Sequence, residues 1–340
     1  MKVESDIFPN AILWTPNEDD KGAAHLWRFA KSYGFEPEDY DTLHRWSCAE
    51  KGAFWSAVWD FCGAIGDKGE RYFIPDENAW MTGARFFPDA RMNLAENLLM
   101  KGHGEDIAVC AATEDGAFEE ITRDELRVRV ARVAHGLRAA EVAEGDRVAS
   151  IQTNGLDALV AALATLSVGA VWTSCSPDFG AAAVLDRFGQ VTPKVLFADL
   201  HYSYGGKRHD ISAQVAEICE TMPGIETLVC STGAVKGGIA QDDFGEDAPL
   251  TFARLPFDHP AYILYTSGTT GAPKAIVHRA GGVLLQHLKE HVLHGDVREG
   301  DRVIWYTNTA WMMYHWMISA LATGAAIILY DGAPILKTAD

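Results

Sequence analysis

The sequence predicts an α/β fold, with mainly parallel sheets flanked by helices and a helical, aromatic-rich cap at the N-terminus. Three observations predict it. From about residue 105, short apolar runs alternate with segments of helical period, the pattern of βαβ units around a parallel sheet. Runs such as "RVASIQ" and "KVLFAD" show little in–out alternation, as expected of strands covered on both faces. The first hundred residues instead concentrate tryptophan, with Trp14, Trp27, Trp46, Trp55, Trp59 and Trp80. The expected organisation is a cap region over residues 1–100, then the first part of an α/β domain over 101–340.

Taken in order, "HRWSCAEKGAFWSAVWDFCG" (44–63) has helical spacing, with Phe54, Val58 and Phe61 on one face. Aromatics so spaced serve a core. "FFPDARMNLAENLL" (86–99) reads as a loop leading into a helix. "DIAVCAAT" and "FEEIT" read as a strand hairpin. The helix that follows starts on a capping-box pair, Thr122 and Glu125, and carries an apolar stripe of Leu126, Val130, Val133, Ala134 and Leu137. Strand and helix then alternate through "RVASIQ", "LDALVAALATLSVG", "AVWTSC", "AAAVLDRFGQV", "KVLFAD", "ISAQVAEICETM" and "TLVC". Residues 232–258 are Gly- and Asp-rich without a period and read as an exposed loop. Beyond them, "YILY" and "AIVH" read as strands and "GGVLLQHLKEHVLHG" as a helix. "RVIWYT", "WMMYHWMISALATG" and "AAIILYD" read as strand, helix and strand.

The chain of 340 residues is 48% hydrophobic and 22% charged, with a formal net charge of −18, so it is a folded protein rather than a disordered one. That charge argues against nucleic acid or an anionic membrane as partner, since both need clustered Lys and Arg. A small anionic ligand needs only a local pocket. The six cysteines (Cys48, Cys62, Cys110, Cys175, Cys219, Cys230) form no CxxC pair, which argues against a zinc site or a disulfide framework. The opening "MKVESDIFPN" lacks a signal-peptide core. The longest apolar region, 156–172, contains Asp157 and a glycine break and reads as a buried helix plus a strand. A cytoplasmic location is expected.

"YILYTSGTTGAPKAIVH" (262–278) places Ser, Thr, Gly and Lys between two apolar runs. Glycines let successive backbone N–H groups turn inward. Hydroxyls and a lysine add donors, a cradle suited to phosphate oxygens. The same composition also suits a mobile hairpin turn. A Walker A loop fits less well. Gly268 and Lys274 have its spacing, but Pro273 lacks the needed N–H and Ala275 lacks the magnesium-binding hydroxyl.

The whole stretch from Tyr265 to Ala275 resembles the phosphate-binding signature of the acyl-adenylate-forming superfamily, [YF]-[TS]-S-G-[ST]-T-G-x-P-K-[GA], at every position. Within it, "PKAIVH", the segments 169–197 and 311–334 and the tryptophan-rich N-terminus resemble the acetoacetyl-CoA synthetase branch. Ala310 stands where that branch usually has glycine, and His315 where it often has asparagine. "HRAGG" (278–282) stands for His-Gly-His-Gly-Gly. Another short or medium acid therefore stays open as substrate.

The resemblance implies a ligase that joins a small carboxylate to CoA through an acyl-adenylate, with ATP, Mg2+ and CoA required. It implies that Thr266, Ser267, Gly268, Thr269, Thr270, Gly271 and Lys274 hold ATP phosphates, with Lys274 also a catalytic candidate. Trp311 and Met312 then bound the acid, and Lys207 and Arg208 meet CoA phosphates; no protein metal ligands are assigned. The superfamily's adenine motif Tyr-Gly-x-[ST]-[TE], hinge and late lysine do not occur in these residues. The expectation is an N-terminal portion, incomplete for catalysis as written, with a possible missing C-terminal half. A non-catalytic remnant is the remaining reading.

Overall fold

The computed structural model describes residues 12, 14–79, 82–266 and 271–335. The N-terminal region is helical: α1 (Glu18–Ala23), α2 (His25–Ser32), α3 (Tyr40–Ala49) and α4 (Lys51–Phe61). The run read as one helix over 44–63 breaks at Glu50, whose backbone φ of −105° and ψ of 56° is not helical. Phe29, Val58 and Trp59 are buried in the same core cluster as the α/β elements. Four two-residue strands follow, β1 (Gly66–Asp67), β2 (Phe73–Ile74), β3 (Arg85–Phe86) and β4 (Arg91–Met92), then α5 (Leu94–Leu99). Asn93 caps α5 by accepting from the Glu96 N–H at 3.2 Å. Its own amide donates to the Leu166 carbonyl at 3.0 Å and the Ala253 carbonyl at 3.1 Å. One buried side chain thus ties three segments, with every donor matched.

The α/β part runs β5 (Ile107–Thr113), β6 (Phe118–Thr122), α6 (Arg123–Ala139), β7 (Arg147–Ile151), α7 (Leu156–Ser167) and β8 (Val171–Cys175). It continues α8 (Ala181–Phe188), β9 (Val195–Asp199), β10 (His201–Tyr204), β11 (Lys207–Asp210), α9 (Ser212–Thr221) and β12 (Thr227–Thr232). Then come β13 (Gly238–Ala240), β14 (Leu255–Pro256), β15 (Pro260–Tyr265), β16 (Ala275–Arg279), α10 (Ala280–Leu288), β17 (Arg302–Ile304), α11 (Met312–Ile318) and β18 (Ala326–Asp331). The capping box of Thr122 and Glu125 is present at the start of α6. α7 is buried on all sides apart from Asp157, as its unbroken apolar run requires, and packs against α5 and α6.

The strands form two main sheets. One has seven strands in the order β13-β12-β9-β7-β8-β15-β16, parallel except for the β15–β16 pair. β8 and β9 are buried along their whole length, which explains the missing alternation. The other sheet has the order β17-β18-β5-β6, parallel except for β5–β6. The fold class is therefore as expected: α/β, mainly parallel, with helices on the sheets.

Three local readings need correction. Residues 232–258 are not simply an exposed loop: β13 extends the large sheet, and Gln241, Phe244, Leu255 and Phe257 are buried. Sparse apolar residues anchor the segment individually, so it shows no period. The helix read over 281–295 changes to a wider π-helical turn at Lys289–His294. The strand read over 302–307 stops at Ile304; Trp305 and Tyr306 leave the sheet. The six cysteines are free thiols. Among the described residues no helix is long and apolar enough to cross a membrane.

Candidate active site

β7 lies between β8 and β9, so the chain leaves it in one direction and later returns on the other side. Such a switch point leaves a crevice beyond the carboxyl ends of the strands, the usual ligand position in open α/β sheets. A cleft of about 620 Å³ opens there. Thr153 and Asn154 after β7, and Ser176 to Asp178 after β8, line it from the large sheet. Tyr330 to Gly332 at the end of β18, and Trp305 to Asn308 after β17, line it from the small one. Tyr202, Tyr204 and His209 of the β10–β11 hairpin complete the wall.

Buried hydrogen bonds fix the two halves of the floor together. The Ser174 hydroxyl donates to the Thr309 carbonyl at 2.6 Å, and the Thr309 hydroxyl to the Gln152 carbonyl at 2.9 Å. The Asn154 amide donates to the Thr307 carbonyl at 3.3 Å. Each bond contributes on the order of 1 kcal/mol, and leaving one member buried without its partner costs more. Asp199 is buried behind Thr153 of the cleft wall and accepts from the Thr153 N–H at 2.8 Å. Burial pushes its carboxyl up to about 7, aided by the like charges of Asp157 and Asp331. Burial likewise raises Asp331 to about 6.

The loop with the phosphate-binding signature leaves the same edge of the sheet, because β15 runs parallel to β8. β16 returns antiparallel, with Tyr265 opposite Ala275. The loop base closes on itself: the Thr266 N–H donates to the Lys274 carbonyl at 3.1 Å, and the Lys274 N–H to the Thr266 hydroxyl at 3.0 Å. The Gln190 amide donates to the Pro273 carbonyl at 2.8 Å and ties the loop to the end of α8. Gly271 and Lys274 are exposed, and a Cβ on Gly271 would meet nothing within 4 Å. Ser267, Gly268, Thr269 and Thr270 lie outside the described residues. Thr266, Gly271 and Lys274 do not line the cleft itself.

Trp311 is 60% exposed and lines the cleft at the start of α11. Met312 packs against the main core, and Met313 faces the cleft in its place. Lys207 and Arg208 are exposed on β11 and stand outside the lining, whereas their neighbour His209 is in it and stacks on Tyr202 at 4.9 Å. The resemblance points to Lys207 and Arg208 and passes over the aromatic residues beside them, Tyr202 and Tyr204. It also misses Tyr306, just past β17, and Tyr330 on β18, whose only signal is their position near strand ends.

Behind Trp311, aromatic and imidazole rings fill a seam between β15, α10 and α11. His315 stacks on Tyr262 with ring centroids 4.0 Å apart, and Tyr262 meets His278 at 4.9 Å. Burial, helped by the neighbouring histidines, depresses His287 and His315 to about 3. His315 Nε2, His287 Nδ1, His291 Nδ1 and the hydroxyls of Tyr262 and Tyr314 have no partner among the described protein atoms.

Residues 99–340 match the family described as AMP-binding enzyme. Over 336 residues the chain is 44% identical to an acetoacetyl-coenzyme A synthetase of Rhizobium meliloti, spanning 95% of this chain and 51% of that protein. It is 38% identical over 351 residues to malonamoyl-CoA synthetase vrtB of Penicillium aethiopicum, spanning 95% of this chain and 48% of that protein. Among solved structures it resembles acetoacetyl-CoA synthetase from Streptomyces lividans, with a TM-score of 0.91, 41% identity, and coverage of 97% of this chain and 52% of that one. The chain spans about half the length of the curated relatives it matches.

Proposed function

The chain belongs to the AMP-binding enzyme family, and on that premise we propose that it is the N-terminal portion of an ATP-dependent acyl-CoA synthetase acting on acetoacetate. In the reaction a carboxylate oxygen attacks the α-phosphate of ATP, pyrophosphate leaves, and the CoA thiol then displaces AMP from the acyl group. The observation that carries this reading is the signature loop at the same sheet edge as a cleft at the switch point. The names of the relatives supply the substrate class.

In this reading the segment Thr266–Gly271 and Lys274 hold the β- and γ-phosphates and stabilise charge on departing pyrophosphate. Lys274, exposed at the loop base, supplies the cation. Trp311 limits the acid to a few carbons, with Met312 fixing its helix from behind. Lys207 and Arg208 meet CoA phosphates. A magnesium ion assisting here would take most of its ligands from phosphate oxygens and water. Residues 1–100 act as a cap on the α/β domain of 101–340, and the protein works in the cytoplasm without a membrane or nucleic acid partner. A second stretch of polypeptide supplies adenine recognition and the late lysine.

The malonamoyl-CoA relative supports a second reading, in which the acid is a different short one. A panel of acids given to a chain extended to its relatives' length separates the two. For the 340 residues alone, titration with ATP and with pyrophosphate is expected to show binding that weakens about tenfold in Lys274→Ala, the loss of one charge-assisted contact. Isotope exchange between pyrophosphate and ATP is expected to be absent. An unaltered pyrophosphate affinity in Lys274→Ala would remove the loop from the mechanism.

A further inference from the structure

A two-residue turn, Gly205–Gly206, joins β10 to β11, with Tyr204 paired to Lys207. Both glycines have positive φ, 61° and 74°, the left-handed pair that a tight hairpin with right-handed twist requires. Successive left-handed residues turn their amides toward one side and create a concavity for an anion. Here the anion is internal. Glu114 Oε2 accepts from the Gly205 N–H and Oε1 from the Gly206 N–H, both at 2.8 Å. Glu114 directly follows β5 in the other main sheet. Its Oε2 also accepts from the Ala333 N–H at 2.9 Å, just past β18. The fit is close: a Cβ on Gly332 would lie 2.4 Å from the Glu114 Cβ. These three backbone donors hold the Glu114 carboxyl below its usual range.

One carboxylate therefore spans the rim of the cleft. On one side the hairpin presents Tyr202, Tyr204 and His209; on the other the end of β18 presents Tyr330 and Asp331. Among the described residues the hairpin pairs with no further strand, and β11 is exposed along its length. Two strands alone are marginally stable, so the position of this wall depends on what its tip is tied to.

We propose that Glu114 is a positioning residue, whose carboxylate straps the β10–β11 hairpin across the rim and so holds Lys207 and Arg208 in place for an anionic ligand. The ligand half rests on the role given above to Lys207 and Arg208; the strap does not.

Amide hydrogen exchange on the 340-residue protein reads the strap. In Glu114→Ala the amides of Gly205, Gly206 and Ala333 exchange about tenfold faster or more, as expected from losing hydrogen bonds to a charged acceptor, while those of β7 and β8 keep their rates. Glu114→Gln retains one acceptor oxygen, so it releases some of the three amides and lies between. Unchanged exchange at all three in Glu114→Ala overturns the strap. Calorimetric titration with CoA reads the consequence. Glu114→Ala weakens CoA binding, and adding it to a Lys207→Ala, Arg208→Ala variant weakens binding no further. A fully additive loss overturns positioning through those two residues and leaves Glu114 with only a general structural role. If the wild-type chain binds no CoA, the ligand assignment for Lys207 and Arg208 falls, and the exchange rates still decide the strap.

Discussion

Asp199 behind Thr153 of the cleft wall and His315 in the ring seam are both buried, yet their surroundings treat polarity differently. The cleft pairs most of its buried polar groups: Asp199 receives the Thr153 N–H, and Ser174, Thr309 and Gln152 form a chain of bonds, while Asn154 Oδ1 alone of the lining has no partner among the described residues. The seam leaves more nitrogen and hydroxyl atoms without a partner among the described residues, and in it His315 lies as a neutral flat ring on Tyr262. The difference teaches that burial alone does not define a site. In the cleft, hydrogen-bond geometry holds strand ends from two sheets in register. In the seam, ring shape fills the volume, and the charged form of histidine is excluded.

This contrast can be broken in four ways. The largest effect is expected in the seam, where His315→Ala empties space beside Tyr262 and costs about 3 kcal/mol. His315→Phe keeps the ring and stays within about 1 kcal/mol of wild type. Denaturant unfolding measures both, and a phenylalanine variant as damaged as the alanine one would mean that the imidazole nitrogens matter.

Second, Ser174→Ala leaves the buried Thr309 carbonyl without its partner and lowers stability by about 2 kcal/mol, readable as a fall in the melting temperature. Smaller over any one pH unit is the response to pH, which has opposite sign in the two regions. His287 and His315 are depressed from 6.5 to about 3. Unfolding takes up protons in that window, so their stabilising share is full above 6.5 and is lost as pH falls through the window. Asp199 is raised from 3.8 to about 7; its share is full below 3.8 and is lost as pH rises through that window. Each group changes stability by at most about 1.4 kcal/mol per pH unit while it titrates. Unfolding free energies from pH 4 to 8 should therefore show a gentler acid limb in His315→Phe and a gentler neutral limb in Asp199→Asn. Curves parallel to wild type in both variants would contradict the assignment.

Smallest is Trp311→Ala, which at an exposed position should change stability by less than about 0.5 kcal/mol. It should nevertheless widen the range of acids accepted by a chain extended to its relatives' length. A large loss of stability with no change in acid preference would move Trp311 from the cleft wall to the core.

Much of the fold was legible in the residues themselves. Thr122 and Glu125 announced the start of α6, and the unbroken apolar run at 156–167 announced a helix buried on all sides. Strands without alternation announced a sheet covered on both faces. Local pattern reports such features because backbone period and capping chemistry act within a few residues. Residues 232–258 escaped because Gln241, Phe244 and Leu255 are buried one at a time and leave no period.

The candidate site divides along the same line. The eleven-residue stretch from Tyr265 to Ala275 declared its chemistry in one continuous segment, since donors for a polyphosphate can come from a single loop. Tyr202 of β10, Tyr306 after β17 and Tyr330 of β18 share a cleft only because strand ends from separate sheets meet there, and Glu114 reaches Gly205 only across that junction. By itself the sequence determined which elements form and where a phosphate-binding loop sits. Tertiary structure alone decided which strand ends face one another, because pairing between distant strands is a long-range choice that no local period records.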